Sequence, residues 1–237
     1  MVLIDGAHAP GVLDIFVEEI GCDYYTGNCH KWLYCSKGSA FLWVAKSIYQ
    51  SIPPNCTENM HPQPIVISST GKHDFLGRFE YTGTRDYVAF CAMDAAFRFI
   101  DEKLSGMTKM REYCSLLLQE GCQYLVKEWR TGLLVPLSMN GFMANVILPT
   151  TSRALLLDVQ QKLLQEHHIT MVFEQVPARK EYSPALTEIK STSPTIELFS
   201  AEGEGKIFFI RISSQVYLEF SDFVKLNRAV KTLLQLA

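Results

Sequence analysis

The first 45 residues alternate between short apolar runs and a segment of helical periodicity, and this alternation limits the chain to few folds. Residues 2–5 (VLID) are an apolar run that ends in the turn DGAHAPG, which is typical of a buried strand followed by a loop. Residues 12–20 carry apolar side chains at helical spacing and end at Gly21. Further strands are predicted near residues 22–25 and 39–44. A strand–helix–strand order predicts a βαβ unit in a parallel sheet, and therefore an α/β fold.

The rest of the chain continues this pattern with two polar interruptions. Residues 50–82 contain four prolines and predict a long loop, and residues 176–205 predict a polar excursion. Helical periodicity predicts two consecutive helices, at residues 85–104 and about 107–129. Strand and helix patterns then alternate to the end. We therefore predict two domains, a larger one over 1–129 that includes the 50–82 loop and a smaller α/β domain over 130–237.

Composition disfavours several classes of partner. The chain has 22 Lys and Arg against 25 Asp and Glu, a net charge of −3, and no basic stripe, so nucleic acid and anionic membrane are disfavoured. No apolar run approaches the length of about 20 residues that a membrane span needs. The seven cysteines are scattered without a CxxC pair, which indicates free thiols in a reducing compartment. Cytoplasm is the predicted location.

The cysteines raise two other possibilities. Cys22, Cys29, His30 and Cys35 lie close together in sequence, but their spacing matches no tetrahedral zinc site, so no metal site is predicted. A cysteine-based redox or metal protein is disfavoured for the same reason. A catalytic cysteine stays open, although no feature marks which cysteine it would be.

Two ionisable residues follow predicted strands. Asp5 ends the first strand, and open α/β sheets bind ligands at the carboxyl ends of strands, although aspartate is also favoured in turns and N-caps. Lys31 follows the second strand in NCHKWL. A sheet-end lysine can form a Schiff base if its amine is partly deprotonated, whereas an isolated lysine is usually a solvated charge. Either reading is open for both residues.

Thr84 and Arg211 each have two possible interpretations. Thr84 lies in GTR, where a helix start offers N–H groups and a hydroxyl to a phosphate, or where the threonine simply caps the helix. Arg211 lies among apolar neighbours in FFIRISS and needs an anionic partner. That partner is either a ligand or an internal carboxylate.

The order of these segments resembles one family. DGAHAPG, NCHKWL, KGSAFLWV and YTGTRDY, followed by RIS and a closing helix, resemble the class V aminotransferases, which are pyridoxal 5′-phosphate (PLP) enzymes of fold type I. Within that class they look most like the isopenicillin N epimerase-like branch. The resemblance runs along the whole chain and is tightest over residues 2–100. It implies a remnant of the large PLP-binding domain with a mostly parallel sheet, plus a smaller C-terminal α/β domain.

The resemblance also implies roles around the cofactor. Lys31 would carry PLP as a Schiff base, and Asp5 would pair with the pyridinium nitrogen so that the ring acts as an electron sink. His8 stands where many relatives have glutamine, near the cofactor's phenolic oxygen. His30 would contact the phosphate.

Two further residues complete the implied site. Thr84 would reach a phosphate across a homodimer interface, and Arg211 would hold the carboxylate of an amino-acid substrate. The freed Lys31 amine would then move the Cα proton. Transamination, racemisation and elimination all remain open outcomes, and the pattern does not select the substrate.

The sequence departs from the family in two places. Tyr217 is followed by Leu218 where relatives commonly have asparagine, which leaves the local carboxylate-site geometry open. The family also carries a long segment before the DGAH strand that supplies a phosphate-binding turn and a stacking aromatic. We therefore expect this chain to be the C-terminal portion of an enzyme or an N-terminally shortened product. The alternative is a non-catalytic homologue that retains the fold remnant and a dimer surface.

Overall fold

The computed structural model describes residues 1–51, 75–81, 83–177 and 206–236. The chain divides into two compact units, Met1–Met107 and Thr108–Ala237, and each contains a three-stranded sheet. Most of the predicted 50–82 loop and of the predicted 176–205 excursion lies outside the described residues. Within the described ranges, none of the helices combines the length and apolar character needed to cross a lipid bilayer.

The sheet of the first unit is mixed rather than mostly parallel. Strands β1 (Leu3–Asp5), β2 (Tyr24–Asn28) and β3 (Ala40–Val44) lie in the order β1-β2-β3. β1 and β2 are parallel, as the βαβ pattern predicts, but β3 runs antiparallel to β2. The connection over residues 29–39 explains the difference, because a parallel crossover needs a dozen or more residues and usually a full helix.

The helices of the first unit are short. They are α1 (Val17–Ile20), α2 (Cys29–Trp32), α3 (Lys46–Ser51), α4 (Val88–Cys91) and α5 (Met93–Lys103), and a 3₁₀ turn covers Gly77–Phe79. The helix predicted over 12–20 begins only at Val17, because Phe16 has an extended backbone and the residues before it form turns. The helix predicted over 85–104 begins at Val88 and is interrupted at Ala92.

The second unit has longer helices and an antiparallel sheet. Its elements are α6 (Met107–Trp129, which starts at the unit boundary), a 3₁₀ turn (Leu137–Met139), β4 (Met143–Ile147), α7 (Arg153–His167), β5 (Phe173–Pro177), β6 (Lys206–Ser213) and α8 (Phe220–Leu234). β6 lies between β4 and β5 and is antiparallel to both. The apolar run GLLVP at residues 132–136 is typical of a strand, but it contributes an isolated bridge between Leu133 and Val146 instead.

One core holds the second unit together. Nineteen buried residues from α6, α7, α8, β4, β6 and their connections form a single apolar cluster. Leu118, Leu125 and Trp129 of α6 belong to it, so this helix packs with the elements that follow it. The compact units therefore divide after Met107, whereas the sequence predicts a domain boundary after residue 129. The assignment of domains 1–129 and 130–237 stays a prediction.

Candidate functional site

Asp5 and Lys31 follow the carboxyl ends of two neighbouring parallel strands. β1 ends at Asp5, whose Cα is paired with that of Thr26 on β2, and β2 leads directly into α2, which contains Lys31. Parallel strands bring their carboxyl ends to the same edge of a sheet, where α/β proteins bind ligands. Asp5 is exposed, and its Oδ1 accepts a hydrogen bond of 3.0 Å from the backbone N–H of Ala7. Asp5 therefore stabilises the turn and can still bind a ligand at this edge of the sheet.

His8 connects the DGAHAPG turn to the lysine. Its Nε2 lies 3.0 Å from Lys31 Nζ, and its Nδ1 accepts a hydrogen bond of 3.2 Å from the indole N–H of Trp32. The imidazole and indole rings are tilted by 56° at a centroid separation of 6.3 Å. Lys31 and His8 are half-buried, whereas Trp32 is 5% exposed. The lysine amine is therefore engaged within the protein rather than fully solvated.

A close backbone approach explains why the turn reaches α2. Gly11 has φ +86°, a conformation that L side chains rarely adopt. A Cβ atom at this position would lie 2.6 Å from the backbone carbonyl oxygen of Trp32. Only glycine therefore allows the turn to lie this near to Trp32, and this packing places His8 beside Lys31.

His30 is held by the backbone that precedes β3. Its Nδ1 lies 2.8 Å from the carbonyl oxygen of Ser39, which also accepts hydrogen bonds from the backbone N–H groups of Cys29 and His30. A carbonyl oxygen can only accept, so Nδ1 carries the proton in this bond. Nε2 of His30 is then the ring nitrogen that can turn toward a ligand.

Thr84 lies in an exposed segment before α4. Its hydroxyl is 3.3 Å from the hydroxyl of Tyr81. The interpretation of Thr84 as a helix cap is wrong, because α4 begins at Val88 and Asp86 Oδ1 accepts a hydrogen bond of 2.8 Å from the Val88 N–H. An exposed hydroxyl outside any helix end is free to contact a ligand or another chain.

Arg211 belongs to the second unit. It lies on β6 opposite Asn145, is exposed, and lines an open cavity of about 360 Å³ together with Thr170 and Ser213. Within the described part of the chain, no carboxylate forms an ion pair with this guanidinium; Asp222, on the same cavity, pairs with Lys225. The described residues therefore give no support to an internal salt bridge of Arg211.

Most of the described cysteines are buried, unpaired side chains. All six cysteines within the described ranges are free, and five of these are buried. Burial raises the pKa of the Cys114 thiol to about 11 and that of Cys122 to about 12. Burial also raises the pKa values of Cys29 and Cys35. A thiol is a poor nucleophile while it stays protonated, so these four are poor candidates for catalysis.

Sequence reasoning missed Trp32 and Ser39. Both contribute through contacts with histidine rings, and Trp32 is separated from its partner by 24 residues. Apolar periodicity predicts whether a residue is buried, but it carries no information about which ring nitrogen an indole N–H will meet. The adjacency of Trp32 to Lys31 was the only available signal.

Comparisons with known proteins identify relatives of this chain. The family model described as Aminotransferase class-V matches residues 1–148. A protein named probable L-cysteine desulfhydrase, chloroplastic, from Arabidopsis thaliana is 27% identical over 99% of this chain and 44% of its own length. Isopenicillin N epimerase from Streptomyces clavuligerus is 32% identical over 46% of this chain and 29% of its own length. The chain spans about half the length of the curated relatives that match along all of it.

A solved structure shows the same fold. The cysteine desulfurase from Thermococcus onnurineus NA1 superposes with a TM-score of 0.64 at 16% identity, covering 98% of this chain and 52% of that one. The predicted α/β fold of type I PLP enzymes is thereby confirmed, although the sheet of the first unit is mixed rather than mostly parallel.

The residues at the β1–β2 edge fit the cofactor of this family. Class V aminotransferase and cysteine desulfurase relatives depend on PLP. An amine can bind its aldehyde, a carboxylate can pair with its ring nitrogen, and an imidazole can contact its phosphate. Lys31, Asp5 and His30 provide these three groups after neighbouring strands. With its family model matched over residues 1–148, the chain belongs to the class V aminotransferase family.

Proposed function

We propose that this chain carries the reactive lysine of a PLP-dependent enzyme that acts on an amino acid, with Lys31 forming the Schiff base. The observation that carries this proposal is the contact of 3.0 Å between Lys31 Nζ and His8 Nε2 beside the strand that ends at Asp5. A lysine that serves only as a surface charge has no need of a half-buried imidazole partner.

The other residues supply binding and orientation. Asp5 would hold the ring nitrogen, and Nε2 of His30 would contact the phosphate, because its Nδ1 is bonded to the Ser39 carbonyl. Bound PLP acts as an electron sink for bond cleavage at the substrate Cα. The Lys31 amine would move the proton at the substrate Cα.

Substrate and subunit contacts are assigned to exposed residues. Arg211 holds the substrate carboxylate through two parallel hydrogen bonds. Thr84 reaches the phosphate of a second subunit, which requires a homodimer.

If Thr84 acts in this way, Thr84→Ala should weaken PLP binding in the dimer and leave the PLP affinity of the monomer unchanged. Titrations with PLP at different protein concentrations would measure both affinities.

The names of the relatives favour one substrate class. The two relatives named L-cysteine desulfhydrase from Arabidopsis thaliana match 99% of the chain, and hercynylcysteine sulfoxide lyase from Schizosaccharomyces pombe matches 97%. Each of these names refers to cysteine or to a cysteine derivative. We therefore assign a sulfur-bearing amino acid as the substrate, with epimerase-type chemistry as the alternative outcome. Sulfide release from L-cysteine supports the first outcome, whereas inversion at Cα of an amino acid that keeps its sulfur supports the second.

The test of the lysine assignment is spectroscopic. The full chain is mixed with PLP, and the visible absorbance band of a lysine-bound cofactor is recorded for the wild type, Lys31→Ala and the control Lys37→Ala. Lys37 is exposed and close in sequence, so its loss should leave the band intact. We expect the band to disappear only in Lys31→Ala.

Two other outcomes are informative. A band that survives in Lys31→Ala contradicts the assignment of Lys31. A wild-type chain that binds no PLP supports the alternative of a non-catalytic homologue, and a longer gene product would then be tested in the same way. The cytoplasmic location stays a prediction.

A further inference from the structure

One polar side chain of the second unit has no role in the proposed function, although it lies beside Arg211. Asn145 is the central residue of β4, and its neighbours Ala144 and Val146 are buried in the apolar core. Asparagine is depleted in strands, so a mid-strand asparagine is unusual. Within the described ranges, no hydrogen bond joins the half-buried Asn145 side chain to another residue. Its amide therefore keeps its hydrogen-bonding capacity for a ligand that displaces water.

The register of the sheet brings the side chains of Asn145 and Arg211 together. Their Cα atoms are direct partners in the antiparallel pairing of β4 with β6. The backbone N–H of Leu148 donates to the carbonyl oxygen of Phe208, which makes those two residues a hydrogen-bonded pair. Hydrogen-bonded and non-hydrogen-bonded pairs alternate along an antiparallel ladder, so Asn145 and Arg211 form a non-hydrogen-bonded pair. Side chains of such a pair share one face of the sheet, with Cβ atoms about 4.5–5.5 Å apart.

The donors of the two side chains complement one carboxylate. Arg211 is exposed, and within the described ranges its guanidinium has neither an ion pair nor a hydrogen bond. A guanidinium can donate two parallel hydrogen bonds to the two oxygens of a carboxylate. A carboxylate has about four lone-pair sites, so two of them remain after that contact. The Nδ2 atom of Asn145 carries two N–H donors beside the guanidinium and can use a remaining site.

The space next to this pair has the size of a small-molecule site. Arg211 lines the open cavity of about 360 Å³, whose wall also includes Val172, the residue before β5, and Ser213 on β6. Because β6 lies between β4 and β5, Arg211 has Asn145 on one side and the cavity wall before β5 on the other. This volume is at the lower end of the range for ligand pockets, which suits an amino acid better than a large ligand.

We infer that Asn145 is a second carboxylate-binding residue, whose amide donates a hydrogen bond to the same substrate carboxylate that Arg211 holds. That this carboxylate belongs to an amino-acid substrate rests on the proposed function. An amide at this position also leaves the guanidinium unpaired, whereas an acidic side chain there would occupy it. The two side chains belong to one unit and should bind a simple carboxylate without PLP, so the pair can be tested in the cofactor-free protein.

The first experiment measures carboxylate binding by the full wild-type chain without PLP. Acetate is titrated into ¹⁵N-labelled protein, and the assigned NMR signals of Arg211 Nε–H and Asn145 Nδ2–H₂ are followed. Acetamide, which has a similar shape without the charge, is the control probe. We expect both signals to shift with acetate at one common dissociation constant and to shift far less with acetamide. An Asn145 signal that does not follow that of Arg211, or no shift in either, overturns the assignment.

The second experiment repeats the acetate titration with variants, following the Arg211 signal. Asn145→Asp keeps the side-chain shape but adds a carboxylate that competes for the guanidinium, so the dissociation constant should rise about tenfold or more. Asn145→Leu removes only the donors and should raise it about fivefold, the net effect of one hydrogen bond. The control is Gln175→Glu on β5, which adds the same charge at an exposed position paired with Phe208, on the face opposite to Arg211. Solvent screening should keep its effect below about twofold.

The outcomes distinguish a failure at Asn145 from a failure of the proposed function. An unchanged acetate constant in the folded variants, with folding checked by circular dichroism, overturns the role of Asn145 even if the PLP band depends on Lys31. Acetate binding that depends on Asn145 in a chain without a PLP band upholds that role while the proposed function fails. If neither variant folds, the wild-type titration decides alone. In an active enzyme, Asn145→Leu should raise KM and leave kcat unchanged, and a fall in kcat at unchanged KM would contradict a binding role.

Discussion

The two units of the chain differ in how thoroughly their strands are covered. In the second unit, β4 and β6 contribute to a core of nineteen buried residues. In the first unit, Leu3 on β1 is 55% exposed, and Phe41 and Leu42 on β3 are also exposed. The described residues of the first unit include a small cluster of Cys29, Cys35 and Ala96, next to the lysine segment.

This contrast separates stability from chemistry. Apolar burial is the main stabilising contribution, so the second unit should hold most of the free energy of unfolding. The residues proposed to bind PLP all lie in the first unit. A site on a less stabilised scaffold responds more readily to its surroundings, so substitutions should affect the two units very differently.

The largest expected effect tests the core of the second unit. Leu163 is 0% exposed, and Leu163→Ala should lower the free energy of unfolding by about 2–5 kcal/mol because it leaves a cavity. The measurement is urea denaturation followed by the fluorescence of Trp129 in a background without Trp32 and Trp43. Leu3→Ala in the first unit is the matched control, expected to change stability by less than about 0.5 kcal/mol. Equal losses of unfolding free energy in the two variants would contradict the expected difference between the units.

A second prediction asks whether function can be lost from the stable unit without loss of stability. Arg211 is exposed, so Arg211→Ala should leave the urea midpoint unchanged. If it holds the substrate carboxylate, KM should rise roughly tenfold to a hundredfold, the range for a charge-assisted hydrogen bond. Steady-state kinetics measure this, with Arg228→Ala, on the exposed side of α8, as the control. An unchanged KM would remove the assigned role.

A buried polar network provides a third test. Asn227 is 3% exposed, accepts a hydrogen bond of 2.9 Å from the Trp129 indole and donates one of 2.8 Å to the Tyr124 hydroxyl. Asn227→Ala leaves the buried indole N–H unsatisfied and should cost about 1–3 kcal/mol. Asn140→Ala, which removes one bond to the Pro136 carbonyl, should cost less. A reversed order in denaturation midpoints would show that the network contributes little.

The smallest expected effect concerns the start of α8. Asp222 Oδ2 accepts a hydrogen bond of 3.0 Å from the Glu219 N–H within a capping box, and this bond together with Lys225 lowers the Asp222 pKa. Asp222→Asn should destabilise the second unit by about 0.5–1 kcal/mol at neutral pH. Because the folded pKa is the lower one, the contribution is present above the unfolded pKa and is lost as pH falls through the folded pKa. The stabilities of wild type and variant should therefore begin to converge as the pH falls below about 4, the ordinary aspartate pKa, and a constant difference at acidic pH would contradict the ionic origin.

The sequence predicted long helices better than short ones. The prediction of a helix over about 107–129 matches α6, because its apolar spacing persists over many turns. The helix predicted over 12–20 begins only at Val17, because Val12 and Leu13 belong to a turn and Phe16 is extended. The family resemblance implied a mostly parallel sheet, whereas β3 is antiparallel to β2, because the connection between them is too short for a parallel crossover.

The candidate site was predictable in part. The order of Asp5 and Lys31 after neighbouring strands follows from the βαβ pattern, and β1 and β2 pair in parallel as expected. The contact between His8 and Lys31 depends on how a turn packs across 23 residues of chain. The partner of each imidazole nitrogen depends on atomic positions, which a one-dimensional pattern does not contain.

The glycines of the DGAHAPG turn have a consequence for protein engineering. A Cβ atom at Gly6 would overlap the Tyr25 ring, and one at Gly11 would overlap the Trp32 carbonyl group. The turn and the segment from β2 to α2 are therefore complementary surfaces that cannot be transplanted separately. A designer who wished to move this lysine onto another scaffold would have to graft both segments as one module, with both glycines intact.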